Sequence, residues 1–170
     1  MIVRVKMRPA MSMMREFVSL SPEELQGLLD DPEDWLTSLE DIEEERRLEL
    51  GKAWHGLHYL LTGTAWDANT VAGQAILGGQ QFGEDLGYGP GAYHMPDQVS
   101  EIAKELSKVS QASLIARYVP AEMDSVGVYP NKWVRDGDEG RDWLIQSFRH
   151  LVTFYASASE RGNAVIHYLI

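Results

Sequence analysis

A helix is encoded by Lys52-Ala-Trp-His-Gly-Leu-His-Tyr-Leu-Leu-Thr-Gly63, which carries two aromatic residues and two histidines within roughly three helical turns. The spacing of its apolar residues predicts a helix over 48–62. Gly63 is suited to end that helix, because glycine readily adopts the left-handed backbone conformation of a helix C-terminus. We therefore expect this segment to be a central helix of the fold.

One arc of this helix is apolar. With about 100° between successive residues, Trp54, Leu57 and Leu61 fall on one side, which must face the core. His58 lies at the edge of that arc, and His55 continues around the same side. Because residues three positions apart on a helix are neighbours, the two imidazole rings can converge on one point.

A second unusual segment is the glycine-rich run Gly83-Glu-Asp-Leu-Gly-Tyr-Gly-Pro90. Its glycine spacing differs from that of a dinucleotide-binding loop, and it lacks the Lys-Ser/Thr of a phosphate-binding loop. Glycines in this pattern instead permit positive φ angles in consecutive turns. We expect loop 83–91 to fold tightly against Trp54 and to hold Glu84 and Asp85 beside the helix.

The rest of the chain predicts a single α+β domain. Residues 11–20 read as a strand, and so do residues 163–170 at the end of the chain; between them the periodicity predicts about five to six helices. We expect a small mixed or antiparallel sheet that includes the N-terminal and C-terminal strands. Residues 1–10 read as an N-terminal extension, and residues 11–170 as the domain itself.

Four shorter segments also carry structural signals. The sequence Ser21-Pro-Glu-Glu24 is typical of a capping box at a helix N-terminus. Residues 67–77 fit either a helix or a strand. Residues beyond 118 read as irregular until an acidic turn over 136–140, which we expect to precede the longest helix. Gly56 marks a place where the missing side chain lets another backbone approach the central helix closely.

Charge and composition limit the classes of function. The 170 residues carry a net charge of −11, and residues 21–50 hold twelve acidic and two basic side chains, a net −10. Such acidity repels phosphate backbones and anionic lipid surfaces, so we expect no nucleic-acid and no membrane partner. The N-terminus lacks the apolar run of a signal peptide, and the chain has no cysteine. These features predict a cytoplasmic protein.

Several segments together resemble one known family. They are Ser-Pro-Glu-Glu-Leu at 21–25, the helix sequence at 52–63, the glycine-rich run at 83–90 and Tyr-Pro at 129–130, followed by the closing helix and strand. The chain is similar in these segments to the YfbM-like family, domain of unknown function 1877 (DUF1877), from about Met11 onward. The resemblance implies a single α+β domain of bacterial type, and it implies no activity.

Four residues are candidates for catalysis: His55, His58, Glu84 and Asp85. A histidine oriented by a carboxylate can transfer protons near neutral pH. Two histidines and one carboxylate can also bind a metal ion. However, the familiar zinc-binding helix spaces its histidines by four residues with a glutamate between them, and this helix does not. The spacing therefore favours hydrogen-bonded histidines at the margin of the core, and we expect no metal and no cofactor.

The candidate ligand-binding residues are Trp54, Tyr59 and Tyr88. We expect first a non-catalytic binding or interaction protein, whose protein or small-molecule partner docks in a pocket near helix 48–62 and loop 83–91. An acidic surface would suit a basic protein partner. The alternative is a small hydrolase-like enzyme that uses histidine–carboxylate acid–base chemistry, although no cysteine and no Gly-x-Ser-x-Gly motif supplies a nucleophile.

Overall fold

The computed structural model describes residues 12–170. The extension predicted for residues 1–10 lies outside the described residues. The strands are β1 (Arg15–Leu20), β2 (Arg47–Gly51), β3 (Gln80–Phe82), β4 (Gly91–His94) and β5 (Ala164–Leu169). The helices are α1 (Pro22–Asp30), α2 (Trp35–Ser38), α3 (Trp54–Thr62), α4 (Val71–Leu77), α5 (Pro96–Lys108), α6 (Gln111–Arg117), α7 (Pro120–Ser125) and α8 (Trp133–Glu160). In this part of the chain no helix combines the length and the apolar character needed to cross a bilayer.

The five strands form one antiparallel sheet in the order β2-β1-β5-β4-β3. The first and last strands of the domain are neighbours, with Arg15 opposite Leu169 and Leu20 opposite Ala164. This pairing confirms the predicted sheet built from the two end strands, and it decides between the mixed and the antiparallel alternatives.

Helices cover both faces of the sheet. Because side chains alternate along a strand, Phe17 and Val165 point to one face, and Val18 and Ile166 point to the other. The first face packs against α3 to α8 and carries the larger core. The second face packs against α1 and α2 around Trp35 and carries a smaller core. This layered arrangement confirms the α+β class. Below, the face that carries the larger core is called the larger face, and the other is called the smaller face.

Local capping chemistry follows the sequence closely. The Ser21 hydroxyl accepts a hydrogen bond from the backbone N–H of Glu24 (3.2 Å), and the Glu24 carboxylate accepts one from the backbone N–H of Ser21 (2.7 Å). These reciprocal bonds confirm the predicted capping box. At the end of α3, Gly63 has a φ of 74°, and its N–H donates to the carbonyl of Tyr59 (2.7 Å). The predicted C-terminal cap is therefore also confirmed.

One boundary differs from the sequence-based expectation, and two further points are decided by the structure. Residues 48–51 are not the first turn of the central helix, because they belong to β2, where Leu48 pairs with Phe17 of β1. The choice between helix and strand for residues 67–77 is decided in favour of a helix over 71–77, which begins after Thr70, whose hydroxyl accepts from the backbone N–H of Gly73 (3.0 Å). Within α8, Gly137 has non-helical φ and ψ angles of 52° and −129°, so the predicted acidic turn separates a short first turn from the long helix.

One helix, α7, is not anticipated by the sequence, and another, α4, is one of the two alternatives for residues 67–77. The six expected helices correspond to α1, α2, α3, α5, α6 and α8, and the structure adds α4 and α7. Both added helices are short and lie in the stretches whose pattern was mixed or irregular. They pack on the larger face, where Ala75 of α4 and Met123 of α7 are fully buried. Tertiary burial, rather than local periodicity, accounts for these two helices.

Candidate functional site

The ring of His55 is fully buried and is bonded to backbone at both nitrogen atoms. Its Nδ1 accepts a hydrogen bond from the backbone N–H of Tyr129 (2.9 Å), so its Nε2 carries the proton and donates to the carbonyl of Ala65 (2.7 Å). Burial lowers the pKa of His55, and the Ala65 carbonyl offsets only part of that effect. His55 therefore joins separate segments of chain, and neither nitrogen atom is left for a substrate.

His58 is also fully buried, and neither of its ring nitrogen atoms has a hydrogen-bond partner among residues 12–170. Burial lowers the pKa of His58 to about 4, and the neighbouring His55 lowers it further. The ring is therefore neutral at physiological pH. Asp67 offsets only part of these effects, and without solvent access His58 lacks the geometry of a general base.

Of the two predicted acidic residues, Asp85 forms hydrogen bonds within its own loop. Oδ1 of Asp85 accepts hydrogen bonds from the backbone N–H groups of Gly87 (2.6 Å) and Gly89 (3.0 Å). The two glycines have φ angles of 109° and 103°, which closes the loop around that carboxylate. Asp85 thus holds together the consecutive turns that the glycine spacing predicted.

The loop does not fold against Trp54. A Cβ atom on Gly83 would lie 2.6 Å from Nε1 of Trp35, and Leu86 packs in the core of the smaller face. Trp54 lies in the core of the larger face. The expected meeting of Glu84 and Asp85 with the two histidines of α3 is therefore absent. Loop 83–91 joins β3 to β4 at the edge of the sheet, so its position depends on strand order, which local sequence does not determine.

The three candidate ligand-binding residues also lie apart. Trp54 is fully buried, and its Nε1 donates to the carbonyl of Met13 (3.0 Å). Tyr59 is 7% exposed, and burial followed by the nearby Glu122 carboxylate raises its pKa. Tyr88, in loop 83–91, is 41% exposed. Of the three, only Tyr88 presents a substantial surface to a partner.

Metal binding has no geometric basis in the described part of the chain. No three histidine, aspartate or glutamate side chains of residues 12–170 come together in a group that could hold a metal ion. The candidate combination of His55, His58 and one carboxylate from loop 83–91 is not assembled. The hydrolase-like alternative therefore lacks the histidine–carboxylate pair that it required between α3 and loop 83–91.

A buried polar chain on the larger face was missed by the sequence reading. Nη1 of Arg15 lies 2.6 Å from Nδ1 of His167, and the His167 ring stacks on that of His94, with 5.6 Å between centroids. The Arg15 guanidinium also lies over the indole of Trp54, 5.2 Å from the ring centroid. The available signal was the placement of Arg15 and His167 in the two predicted end strands, where each could face a core.

An acidic cleft opens beside the glycine-rich loop. It has a volume of about 470 Å³, and its walls are residues 32–37 and the loop residues Glu84 and Leu86. Three exposed carboxylates form its rim, from Glu33, Asp34 and Glu84. Its apolar lining comes from Pro32, Trp35, Leu36 and Leu86. One wall is thus the predicted loop, while the other is the region around α2 rather than helix α3.

Asp34 has an unusual backbone conformation within this cleft. Its φ and ψ angles are 52° and 28°, in the left-handed region that non-glycine residues seldom occupy. It precedes α2 in the N-cap position, yet its carboxylate makes no capping hydrogen bond. The carboxylate of Asp34 is therefore exposed at the rim without a role in starting the helix.

Comparisons with known proteins agree with this architecture. The crystal structure of a protein of unknown function, YfbM from Escherichia coli, superposes with a TM-score of 0.77 at 19% sequence identity. The superposition covers 93% of this chain and 100% of that chain, so the two share a fold. A search of curated proteins finds no match. The model of the family described as domain of unknown function (DUF1877) matches residues 11–168, and this chain belongs to that family.

Proposed function

We propose that this protein is a non-catalytic binding protein whose acidic cleft receives a basic side chain of a protein partner. The observation that carries the proposal is the arrangement of three carboxylates above an apolar lining in one cleft of about 470 Å³. Lysine and arginine have an apolar stem and a cationic head. The stem would contact Leu36 and Leu86, while the head would meet Glu33, Asp34 and Glu84.

Long-range charge supports the same class of partner. Residues 21–50, which include one wall of the cleft, have a net charge of −10. A surface of one sign attracts partners of the other sign and raises the rate of encounter. The cleft therefore lies in the most acidic part of the chain.

The histidines support binding rather than catalysis. Both ring nitrogen atoms of His55 are committed to backbone groups, and His58 is sealed from solvent. Proton transfer needs a titrating group within hydrogen-bond reach of a substrate. Neither histidine offers such a group, whereas the cleft is open to a partner without any rearrangement of the core.

Isothermal titration with a matched pair of peptides tests the proposal. The first peptide alternates arginine and leucine, and the second replaces each arginine by citrulline, which is nearly isosteric but neutral. We expect the arginine peptide to bind and the citrulline peptide not to bind, with affinity falling as salt is added. Equal binding of the two peptides would contradict the proposal.

A pair of triple variants locates the binding site. The first neutralises the rim of the cleft, and the second neutralises three exposed acids elsewhere, so both change the net charge by the same amount. The substitutions are Glu33→Gln, Asp34→Asn and Glu84→Gln in the first variant, and Glu101→Gln, Glu139→Gln and Glu160→Gln in the second. We expect only the first to abolish peptide binding. Equal losses in both would show attraction to net charge alone and would overturn the assignment to the cleft.

A further inference from the structure

A second cavity, separate from the acidic cleft, has a neutral lining. It has a volume of about 470 Å³ and lies between the end of α4, the edge of the sheet at β3 and β4, and the start of α5. Three of the chain's seven glutamines line it, Gln74, Gln80 and Gln98, together with Tyr93 and Met95. None of its lining residues carries a carboxylate or a basic group, although 24% of the chain is charged. We refer to it as the glutamine cavity.

Two buried histidines hold one wall of the glutamine cavity in place. The carbonyl of Gln74 accepts from Nε2 of His94 (2.9 Å), and the carbonyl of Gly78 accepts from Nε2 of His167 (2.8 Å). The two imidazole rings are 0% and 2% exposed and stack on each other. Backbone held by buried groups of this kind is ordered before a ligand arrives, which lowers the entropic cost of binding.

The glycines of this wall leave no room for side chains. A Cβ atom on Gly78 would lie 2.6 Å from Cα of Gln74, and one on Gly79 would lie 2.8 Å from the carbonyl oxygen of Tyr93. Gly79 also has a φ of 103°, which favours glycine. The wall is therefore tightly packed backbone, which keeps Gln74 and Gln80 at a fixed separation.

The orientation of Gln98 is also fixed. Its Oε1 accepts a hydrogen bond from the backbone N–H of Met95 (2.9 Å) at the start of α5. Since that oxygen faces the helix backbone, the NH₂ group is the end of the carboxamide that remains for a ligand. The side chains of Gln74 and Gln80 make no hydrogen bond within the described residues, so their carboxamides can both donate and accept.

We propose that the glutamine cavity binds a neutral small molecule through an amide-type edge, in which an N–H donor adjoins a C=O or ring-nitrogen acceptor. A glutamine side chain has the matching donor and acceptor and pairs with such an edge through two hydrogen bonds. Met95, which is 47% exposed, supplies adaptable apolar contact for the ring of such a ligand. Without a charged group in the lining, the cavity offers no counter-ion to an anion or a cation, so it selects neutral ligands.

A ligand pair that differs in a single functional group tests this proposal. The full chain, labelled with ¹⁵N, is titrated with nicotinamide and separately with nicotinate, which places a carboxylate where nicotinamide has its amide. We expect millimolar nicotinamide to shift the side-chain amide signals of Gln74, Gln80 and Gln98, and nicotinate to leave them unchanged. Equal shifts with both ligands would overturn the proposal.

Adenosine is titrated in parallel, because a nucleobase presents the same type of edge. Tighter binding of adenosine than of nicotinamide would assign the site to nucleobases, and the reverse would assign it to simple carboxamides. Both results support an amide-edge site. Unchanged glutamine signals with both probes would overturn it, and neither result bears on the peptide-binding experiment in the acidic cleft.

Charge-matched variants localise the binding. Gln98→Glu keeps an oxygen to accept from Met95, but it removes the NH₂ donor and adds a negative charge. Gln111→Glu, on α6, keeps its acceptor role toward Arg149 (2.8 Å) and adds the same charge at a remote position. We expect Gln98→Glu to weaken binding of the preferred probe by about tenfold or more, and Gln111→Glu to leave it unchanged.

A further variant separates a loss of ligand binding from a disturbed N-terminus of α5. Gln80→Glu lies at an exposed position of the edge strand β3, outside the N-terminus of α5. We expect it to weaken binding as Gln98→Glu does, with the backbone signals of the rest of the chain unchanged. Wild-type affinity in both variants, or an equal loss in Gln111→Glu, would overturn the proposal.

Discussion

Arg15 donates a hydrogen bond to His167 in the interior of the larger face, with 2.6 Å between Nη1 and Nδ1. Because a guanidinium only donates, Nδ1 must accept, and the ring proton lies on Nε2, which donates to the carbonyl of Gly78 (2.8 Å). Burial lowers the pKa of Arg15 to about 10, and no carboxylate of the described residues offsets that effect. The pair therefore fixes His167 as a neutral imidazole that joins β1 to the end of α4.

Replacing His167 by phenylalanine removes both of these hydrogen bonds while keeping a ring in the core. We expect His167→Phe to lower the free energy of unfolding by about 1–3 kcal/mol, because Arg15 and the Gly78 carbonyl each lose a buried partner. Urea denaturation measures the change. His150→Phe, at an exposed position of α8, is the control and should stay close to wild type. Equal stability of the two variants would contradict the structural role of His167.

Stability is expected to fall as the pH drops below about 6.5. Burial lowers the pKa of His55, His94 and His167, and it lowers that of His58 to about 4. The unfolded chain then binds protons that the folded chain does not, so each histidine costs about 1.4 kcal/mol per pH unit below its unfolded pKa. The loss is absent above the unfolded pKa and grows as the pH falls toward the folded values.

His58→Leu isolates one of these contributions. Urea denaturation between about pH 7 and pH 5 measures how the free energy of unfolding changes with pH. In this variant the change should correspond to roughly one fewer proton taken up on unfolding. Most carboxylates are still ionised in that window, so histidines dominate the slope. At pH 7 the variant should lose at most about 1 kcal/mol of stability, because the replaced ring makes no hydrogen bond. An unchanged slope would show that His58 is accessible to protons in the folded state.

Alanine substitution is expected to change stability in opposite directions at two helical glycines. A Cβ atom on Gly56 would lie 2.5 Å from Cη2 of Trp133, whereas one on Gly27 would have no neighbour within 4 Å. We expect Gly56→Ala to destabilise the protein by about 1–3 kcal/mol through overpacking. Gly27→Ala should stabilise it by about 0.5–1 kcal/mol, because alanine is the better helix former. Thermal denaturation of both variants checks the signs; a shift in the same direction for both would refute the packing argument.

Features that depend on residues close together in the sequence could be predicted from the sequence. The capping box at Ser21 and the C-terminal cap at Gly63 use hydrogen bonds within one turn of chain. The close approach at Gly56 was also anticipated, although its neighbour is the indole of Trp133 rather than another backbone. In each case the residue type has one dominant physical use, and tertiary structure does not oppose it.

Features that depend on strand order were not readable. Leu48 and Leu50 alternate with charged residues, as expected for β2, but their positions also continue the apolar spacing of the central helix. The separation of Asp85 from His55 follows from which face of the sheet each packs against. That choice rests on contacts such as Gly83 with Trp35, which are 48 positions apart in the chain. The expected approach of loop 83–91 to α3 fails at this step.

Asp85 provides a test that separates structure from chemistry. Asp85→Asn keeps the oxygen that accepts from Gly87 and Gly89, whereas Asp85→Ala removes it. We expect the alanine variant to lose about 0.5–2 kcal/mol of stability and the asparagine variant to stay close to wild type. Denaturation curves give the comparison. A loss of similar size in both variants would mean that the charge, rather than the hydrogen bonds, holds the loop.

Asp34 links the backbone of the acidic cleft to its proposed use. A left-handed backbone is unfavourable for a residue with a side chain, so Asp34→Gly should raise the free energy of unfolding by about 0.5–1 kcal/mol. The same change removes one carboxylate from the rim, and we expect the arginine peptide to bind about two- to fivefold more weakly. Glu33→Gly is the matched control, because it removes an adjacent rim charge at a residue without a positive φ. It should weaken the peptide similarly while lowering stability, and a stability change of the same sign in both variants would show that the conformation of Asp34 carries no strain.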